Sequence, residues 1–255
     1  MKSGYSNVNG LKMYYEIYGQ GQPLVLIHGG GSTIQTSFSN IIPYLSKDRQ
    51  LIAMDLQAHG RTADRNTPLS FQQDADDIAA LLKNLNINKA DFLGFSNGGQ
   101  TAIEIALRHP NIVNKLILAS TFYKRSAAPP QFWEGFDKVT LSVMPKPLQD
   151  AFLAVNNSQD ALQNMFDRDV QRMKTFKDWS DEQISSIKMP TLIMNGNMDV
   201  GSADHAVEMH RRIQGSTLVI LPGYHGQYIG TSEGLPDGEW KQKYTVNIIT
   251  DFLDQ

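Results

Sequence analysis

The sequence of 255 residues predicts an α/β fold, an open and mostly parallel sheet with helices on both faces. Two observations carry that prediction. Short apolar runs at 24–27, 90–95, 115–119, 190–195 and 216–221 have the composition of strands covered on both sides. The stretches between them space their apolar residues three and four apart, the period of a helix. Strands and helices that alternate in this way build a parallel sheet.

In chain order, Val8-Asn9-Gly10-Leu11 is a tight hairpin with a strand on either side. The second strand, 12–18, alternates apolar and polar residues, as an antiparallel edge with one wet face requires. A turn at Gly19-Gln20-Gly21-Gln22-Pro23 leads into run 24–27, where the parallel centre begins. Residues 36–45 carry a helical pattern and 50–55 form the next strand. Ser70 suits the N-cap of a helix over 71–85, with Asp74, Asp76 and Asp77 in early turns, where the dipole favours anions. Strand 90–95 and helix 100–108 follow, and His109-Pro110 ends that helix. Strand 115–119 has Ser120-Thr121 at its tip and no carboxylate there. From 122 to about 188 no buried strand is evident, and prolines divide several amphipathic helical segments. These 67 residues read as a helical lid inserted in a core of 1–121 and 189–255. Phe132, Trp133, Phe136, Met144, Phe152, Met165, Phe166, Met173, Phe176 and Trp179 are expected mostly to pack the lid, with a minority facing an apolar pocket. Strand character returns at 190–195. Ser202 or Asp204 starts a short helix to Arg211, strand 216–221 is the last, and a closing helix covers roughly 241–253. A glycine-rich polar detour, 227–239, precedes it.

A formal net charge of −3 with both signs interspersed lacks the basic face that nucleic acid requires. No apolar run approaches bilayer length. The amino terminus lacks the apolar core of a secretion signal, so a cytoplasmic location is expected. With no cysteine, disulfides and thiol catalysis are excluded.

The chemistry centres on Gly94-Phe95-Ser96-Asn97-Gly98, a serine on the turn between strand and helix. A strand turning sharply into a helix strains its corner residue, and glycines two before and two after give the chain room to fold back. The hydroxyl then projects from the sheet rim beside a helix N-terminus, the G-x-S-x-G nucleophile elbow. His28-Gly29-Gly30-Gly31-Ser32, at the end of strand 24–27, offers backbone N–H groups that approach an oxyanion without an intruding Cβ. The donors chosen are the N–H groups of Gly30 and Asn97, with Gly31 the nearest competitor. His28 is assigned to holding the loop, and His59 and Arg61 to shaping theirs. A serine needs an imidazole to take its proton and a carboxylate to fix that imidazole. His225 follows strand 216–221, and Asp199 follows strand 190–195, 26 residues earlier and 103 after Ser96.

These residues, with Asp55 through His59-Gly60-Arg61 and Asn195-Gly196-Asn197-Met198-Asp199, resemble the α/β-hydrolase family over almost the whole chain. The resemblance implies an eight-stranded sheet, a lid after the sixth strand, and Ser96, Asp199 and His225 as a catalytic triad. It looks closest to the lidded serine esterase, lactonase and haloperoxidase-like branch. Serine at 96 disfavours members with an aspartate nucleophile, and Ser120-Thr121 disfavours those whose acid follows the sixth strand. The expected activity is hydrolysis of a small carboxylic ester through an acyl-enzyme, with no metal or organic cofactor. Lactones, thioesters, carbon-carbon bonds and peracid formation remain open to the same residues, as does a non-enzymatic small-molecule receptor on the same fold. Recognition of free amino termini would need lid carboxylates; Glu134 and Asp137 are available, but surface solvation is the role expected of them.

Overall fold

The computed structural model describes residues 1–232 and 239–255. Its strands are β1 (Lys2–Val8), β2 (Leu11–Tyr18), β3 (Gln22–Ile27), β4 (Arg49–Met54), β5 (Ala90–Phe95), β6 (Val113–Ala119), β7 (Thr191–Gly196) and β8 (Thr217–Leu221). Its helices are α1 (Ile34–Phe38), α2 (Ile42–Leu45), α3 (Phe71–Asn84), α4 (Asn97–Arg108), α5 (Pro130–Gly135), α6 (Lys146–Val155), α7 (Gln159–Lys174), α8 (Asp181–Ser185), α9 (Ala203–Arg212) and α10 (Glu239–Asp254). One eight-stranded sheet runs in the order β1-β2-β4-β3-β5-β6-β7-β8. The β1–β2 and β2–β4 pairs are antiparallel and every later pair is parallel. The serine-bearing strand β5 is therefore central.

The apolar runs of β3, β5, β6 and β7 bury both faces because successive side chains point to opposite sides. Run 216–221, expected to be covered on both sides, is instead the edge strand β8, with Thr217 and Ile220 exposed because among the described residues no further strand or helix covers them. Val25 and Ile27 join a core with α3 and α4, while Leu24 and Leu26 join the opposite core with α1, α2 and α10. Leu116 and Leu118 alternate with Ile117 and Ala119 in the same way. Between β6 and β7, Met144, Leu148, Phe152, Leu162 and Met165 make a third, smaller cluster. Each fully buried side chain of this kind stabilises by roughly 2 kcal/mol.

Three elements differ from expectation. The 36–45 pattern is two short helices, because a continuous helix would drive the ring of Pro43 into the carbonyl of Ser39. α4 begins at Asn97, three residues early: Gly98 and Gly99 are used there for close packing, which overrides their poor helix propensity. Ser70 caps α3 as expected, accepting the Gln73 N–H at 3.1 Å. The three aspartates, however, are paired rather than merely set in the dipole: Asp74 with Arg172, Asp76 with Arg108 and His109, and Asp77 with Arg65. Of the 227–239 detour, Gln227–Ile229 forms a single turn, and 233–238 lie outside the described residues. Among the described residues no helix is long and apolar enough to cross a membrane.

Candidate active site

The carboxyl ends of β3, β5, β6, β7 and β8 lie along one rim and deliver the loops of interest. Ser96 sits between β5 and α4 with φ +54° and ψ −123°, a conformation that L residues adopt only when their surroundings enforce it. The surroundings are visible in the flanking glycines. A Cβ on Gly94 would lie 2.2 Å from the Gly98 carbonyl oxygen, and one on Gly98 would lie 2.1 Å from that of Ile27. The first glycine admits the returning chain, and the second lets the helix start press against β3.

The Ser96 Oγ lies 2.9 Å from Nε2 of His225, whose Nδ1 lies 2.6 Å from Oδ1 of Asp199. Asp199 follows β7 and His225 follows β8, and the two loops are laced together. Gly223 donates its N–H to the Asn197 side chain at 2.8 Å, and Met198 donates to the Gly223 carbonyl at 3.0 Å. The Asp199 carboxylate is fully buried and saturated with donors. Val200 N–H reaches Oδ1 at 2.7 Å, Ser120 Oγ reaches Oδ2 at 2.5 Å, and Gly196 N–H approaches Oδ2 at 3.4 Å. Burial alone would raise its pKa, but the hydrogen bond and charge of His225, with the Ser120 hydroxyl, bring it below the ordinary carboxylate value. Ser120, at φ +50°, also meets the buried Tyr228 hydroxyl at 2.9 Å.

On the other side of Ser96, the glycine loop leans on the elbow. A Cβ on Gly29 would lie 3.2 Å from Ser96 Cβ, and one on Gly30 would lie 2.5 Å from Asn97 Nδ2. His28 is fully buried, accepts the Leu56 N–H on Nε2 at 2.9 Å and donates from Nδ1 to the Gly29 carbonyl at 2.7 Å. It is thus a neutral tether between the β3 and β4 loops, its pKa pushed down to about 3 by burial and by nearby His59. The Gly31 N–H is engaged, donating to Asp169 Oδ2 on α7 at 2.6 Å. Among the described residues, the N–H groups of Gly30 and Asn97 donate to no protein acceptor.

Ser96, Asn97, Gly30, Gly31 and His225 open onto one cavity of about 310 Å³. Its remaining wall is largely apolar: Phe122, Phe132, Phe136, Met144, Pro145, Leu148, Phe166, Val170, Met173 and Val200, with Gln100, Ser120 and Asp169 as polar members. Half of the ten aromatic and methionine residues named above between 122 and 188 line this wall, more than the expected minority; the other five, among them Trp133 and Trp179, pack away from it. Among the described residues no lysine or arginine lines the cavity, and no group of three or more histidine or acidic side chains is set to hold a metal ion.

The family model described as the alpha/beta hydrolase fold matches residues 22–224. The chain belongs to the α/β-hydrolase family. The human serine hydrolase BPHL is 28% identical over 237 residues, spanning 87% of this chain and 79% of that protein. The 2-hydroxy-6-oxo-6-(2'-aminophenyl)hexa-2,4-dienoic acid hydrolase of Metapseudomonas resinovorans is 32% identical over 117 residues, which is 45% of this chain and 40% of that enzyme. Among solved structures, the enol-lactonase of Burkholderia xenovorans LB400 superposes with a TM-score of 0.78 at 20% identity, over 99% of this chain and 100% of that one.

Within this α/β-hydrolase, all five residues expected at the site meet at one rim. Three others escaped the sequence reading. Ser120 was noted for the carboxylate it is not, yet its hydroxyl binds Asp199. His59 does more than shape its own loop, since Nε2 reaches Asp169 at 2.8 Å. Asp169 itself is the carboxylate that faces the cavity, while Glu134 and Asp137 are exposed. Its signal was present: Leu162, Met165, Phe166, Asp169, Val170 and Met173 form one stripe on α7 at helical spacing, and only Asp169 in it is charged.

Proposed function

We propose that this α/β-hydrolase is a serine esterase cleaving small, uncharged carboxylic esters, with Ser96 as nucleophile, His225 as base and Asp199 as its orienting carboxylate. The observation that carries the reading is the unbroken hydrogen-bonded series from Ser96 Oγ through His225 to Asp199 at 2.9 and 2.6 Å. In the proposed course His225 takes the Ser96 proton as Oγ attacks the carbonyl carbon. The resulting oxyanion is held by the N–H groups of Gly30 and Asn97, each contributing on the order of 3 kcal/mol. His225 returns the proton to the departing alcohol, then activates the water that frees the acid. Gly31 is dropped as a donor because Asp169 already holds its N–H.

The preference for an uncharged acyl group rests on the cavity wall. A carboxylate brought there would meet apolar side chains and Asp169 with no cation beside it, and an unpaired buried charge costs several kcal/mol. A dienoic acid, the substrate class in the relative's name, is disfavoured on that ground. Lactones are internal esters that the same groups would open. The segment 122–188 is assigned the part of a lid, since it contributes Phe132, Phe136, Met144, Phe166 and Met173 to the wall of the cavity onto which Ser96 opens.

The test is turnover of p-nitrophenyl butyrate by the native enzyme and by Ser96→Ala. The variant should lose several orders of magnitude in kcat with its fold intact. Hydrolysis at the native rate would remove Ser96 from the chemistry, and a native enzyme inert to neutral esters and lactones of this size would overturn the reading.

A further inference from the structure

Asp169 belongs to α7, yet its contacts tie it to the body of the protein. Oδ2 accepts the Gly31 N–H at 2.6 Å and meets His59 Nε2 at 2.8 Å, while Oδ1 accepts from Arg172 at 2.5 Å. Arg172 continues to Asp74 on α3 at 2.9 Å. Both ring nitrogens of His59 face acceptors, Nε2 the carboxylate and Nδ1 the Gln57 carbonyl at 2.8 Å, so the ring carries both protons. The outcome is a buried series running His59, Asp169, Arg172, Asp74, in which burial pushes the Asp74 carboxyl up against the pull of Arg172. Burial would by itself raise the Asp169 pKa; the two cations outweigh it and keep the carboxylate ionised.

Docking α7 needs no bond to the glycine loop, because Arg172 already bridges to Asp74. The loop has a tie of its own, the His28 Nδ1 bond to the Gly29 carbonyl at 2.7 Å, and Asp169 adds another, at Gly31. Gly29, Gly30 and Gly31 have little conformational preference of their own, and Gly31 is held at φ +64°. A Cβ on Gly30 would lie 3.3 Å from Asp169 Oδ2 as well as against Asn97, so the loop is wedged between the elbow and this carboxylate. We propose that Asp169 is a positioning residue for the oxyanion site: by fixing the peptide between Gly30 and Gly31 it aims the neighbouring Gly30 N–H into the cavity. The donor geometry at Ser96 then depends on α7 being seated. This rests on the reading of Ser96 and Gly30 given above.

The experiment compares Asp169→Leu, which removes the acceptor, with Asp169→Asn, whose amide oxygen still accepts the Gly31 N–H. The measurements are kcat and KM on p-nitrophenyl butyrate and the inhibition constant of butylboronic acid, whose serine adduct places an oxygen in the oxyanion site. Asp169→Leu should lower kcat about 10- to 100-fold, the scale of an ångström of misplacement, leave KM within about twofold and weaken the boronic acid by the same factor as kcat. Asp169→Asn should recover all but about fivefold of the loss. A folded leucine variant with native kcat, a loss confined to KM, or equal losses in both variants would overturn the proposal. If the leucine variant does not fold, hydrogen exchange of the Gly31 amide decides in the native enzyme: protection comparable to β5 supports the tie, and exchange at open-loop rates overturns it. Ser96→Ala is run in parallel. Activity surviving in it refutes the site reading itself, whereas its loss alongside a fully active Asp169→Leu refutes only the role of Asp169.

Discussion

Replacing Asp199 by asparagine isolates what its charge contributes. The usual hazard of this substitution is that the amide turns its NH2 toward the imidazole and forces the wrong tautomer. Here the partners of the two oxygens prevent that. Oδ1 faces the Val200 N–H at 2.7 Å as well as His225 Nδ1, and the backbone donor cannot reorient. Oδ2 faces the Ser120 hydroxyl, which rotates from donor to acceptor, and a Gly196 N–H at a long 3.4 Å. The amide oxygen will therefore take the Oδ1 place, His225 will keep its proton on Nδ1, and Nε2 will stay ready for Ser96. In the proposed course, what is lost is attraction between the carboxylate and the imidazolium formed during attack. For unit charges about 4 Å apart at an effective dielectric of about 20 this is roughly 4 kcal/mol, or about a thousandfold in kcat. The assays are kcat on p-nitrophenyl butyrate and the tautomer of His225 from nitrogen-15 spectra. A kcat within tenfold of native would refute the electrostatic role, and a proton found on Nε2 would refute the anchoring by Val200.

Four further outcomes follow from the same geometry. His28 is neutral in the folded protein with its pKa near 3, against about 6.5 when unfolded. Between those values the unfolded chain binds a proton that the folded one refuses, so stability falls as pH falls from about 6.5, by up to about 1.4 kcal/mol per pH unit. Urea melts at pH 6.5 and 5 should show this slope and His28→Gln should reduce it; equal slopes would count against the neutral tether. His59 acts in the opposite window: burial would lower its pKa, Asp169 outweighs this and raises it, and its contribution is full below about pH 6.5 and fades as pH rises through the elevated value. Gly94→Ala places a methyl group 2.2 Å from a backbone oxygen and should cost about 3 kcal/mol or prevent folding, whereas Gly135→Ala, with nothing within 4 Å, should be neutral or stabilise by under about 1 kcal/mol. Equal melting temperatures would refute the packing account of the elbow. Finally, kcat/KM for the p-nitrophenyl hemiester of succinate should lie at least about 100-fold below that for the butyrate ester, and parity would mean that the cavity tolerates an anion.

What the sequence made legible is what short-range patterns encode. Strands β3, β5, β6 and β7 were readable because a strand buried on both faces must be continuously apolar. Ser96 was readable because the elbow imposes glycine at fixed offsets, and Asp199 because it directly follows such a strand; His225 follows the edge strand β8, whose apolar run reads the same locally although the structure leaves part of it exposed. The break at Pro43 was also written in the chain, in a residue that cannot continue a helix, but the apolar spacing around it suggested one element. The pairings of Asp74, Asp76 and Asp77 were not legible. A helix-start aspartate has the same local sequence whether it faces water or an arginine 98 residues away.

The choice between Gly30 and Gly31 as a donor shows why that gap matters for function. Both glycines are chemically identical, adjacent, and set at the same strand end; nothing within the loop ranks them. The distinction comes from Asp169, 138 residues further on, which takes one N–H and leaves its neighbour directed elsewhere. Asp169 is in turn kept ionised by His59 from the β4 loop and Arg172 one helical turn along α7. On the proposed reading, a residue of segment 122–188 thus completes a feature whose other members come from the rest of the chain. Variants that reshape 122–188 to alter acyl preference will consequently change kcat along with KM whenever they shift α7, and will change KM alone when they leave Asp169 against Gly31.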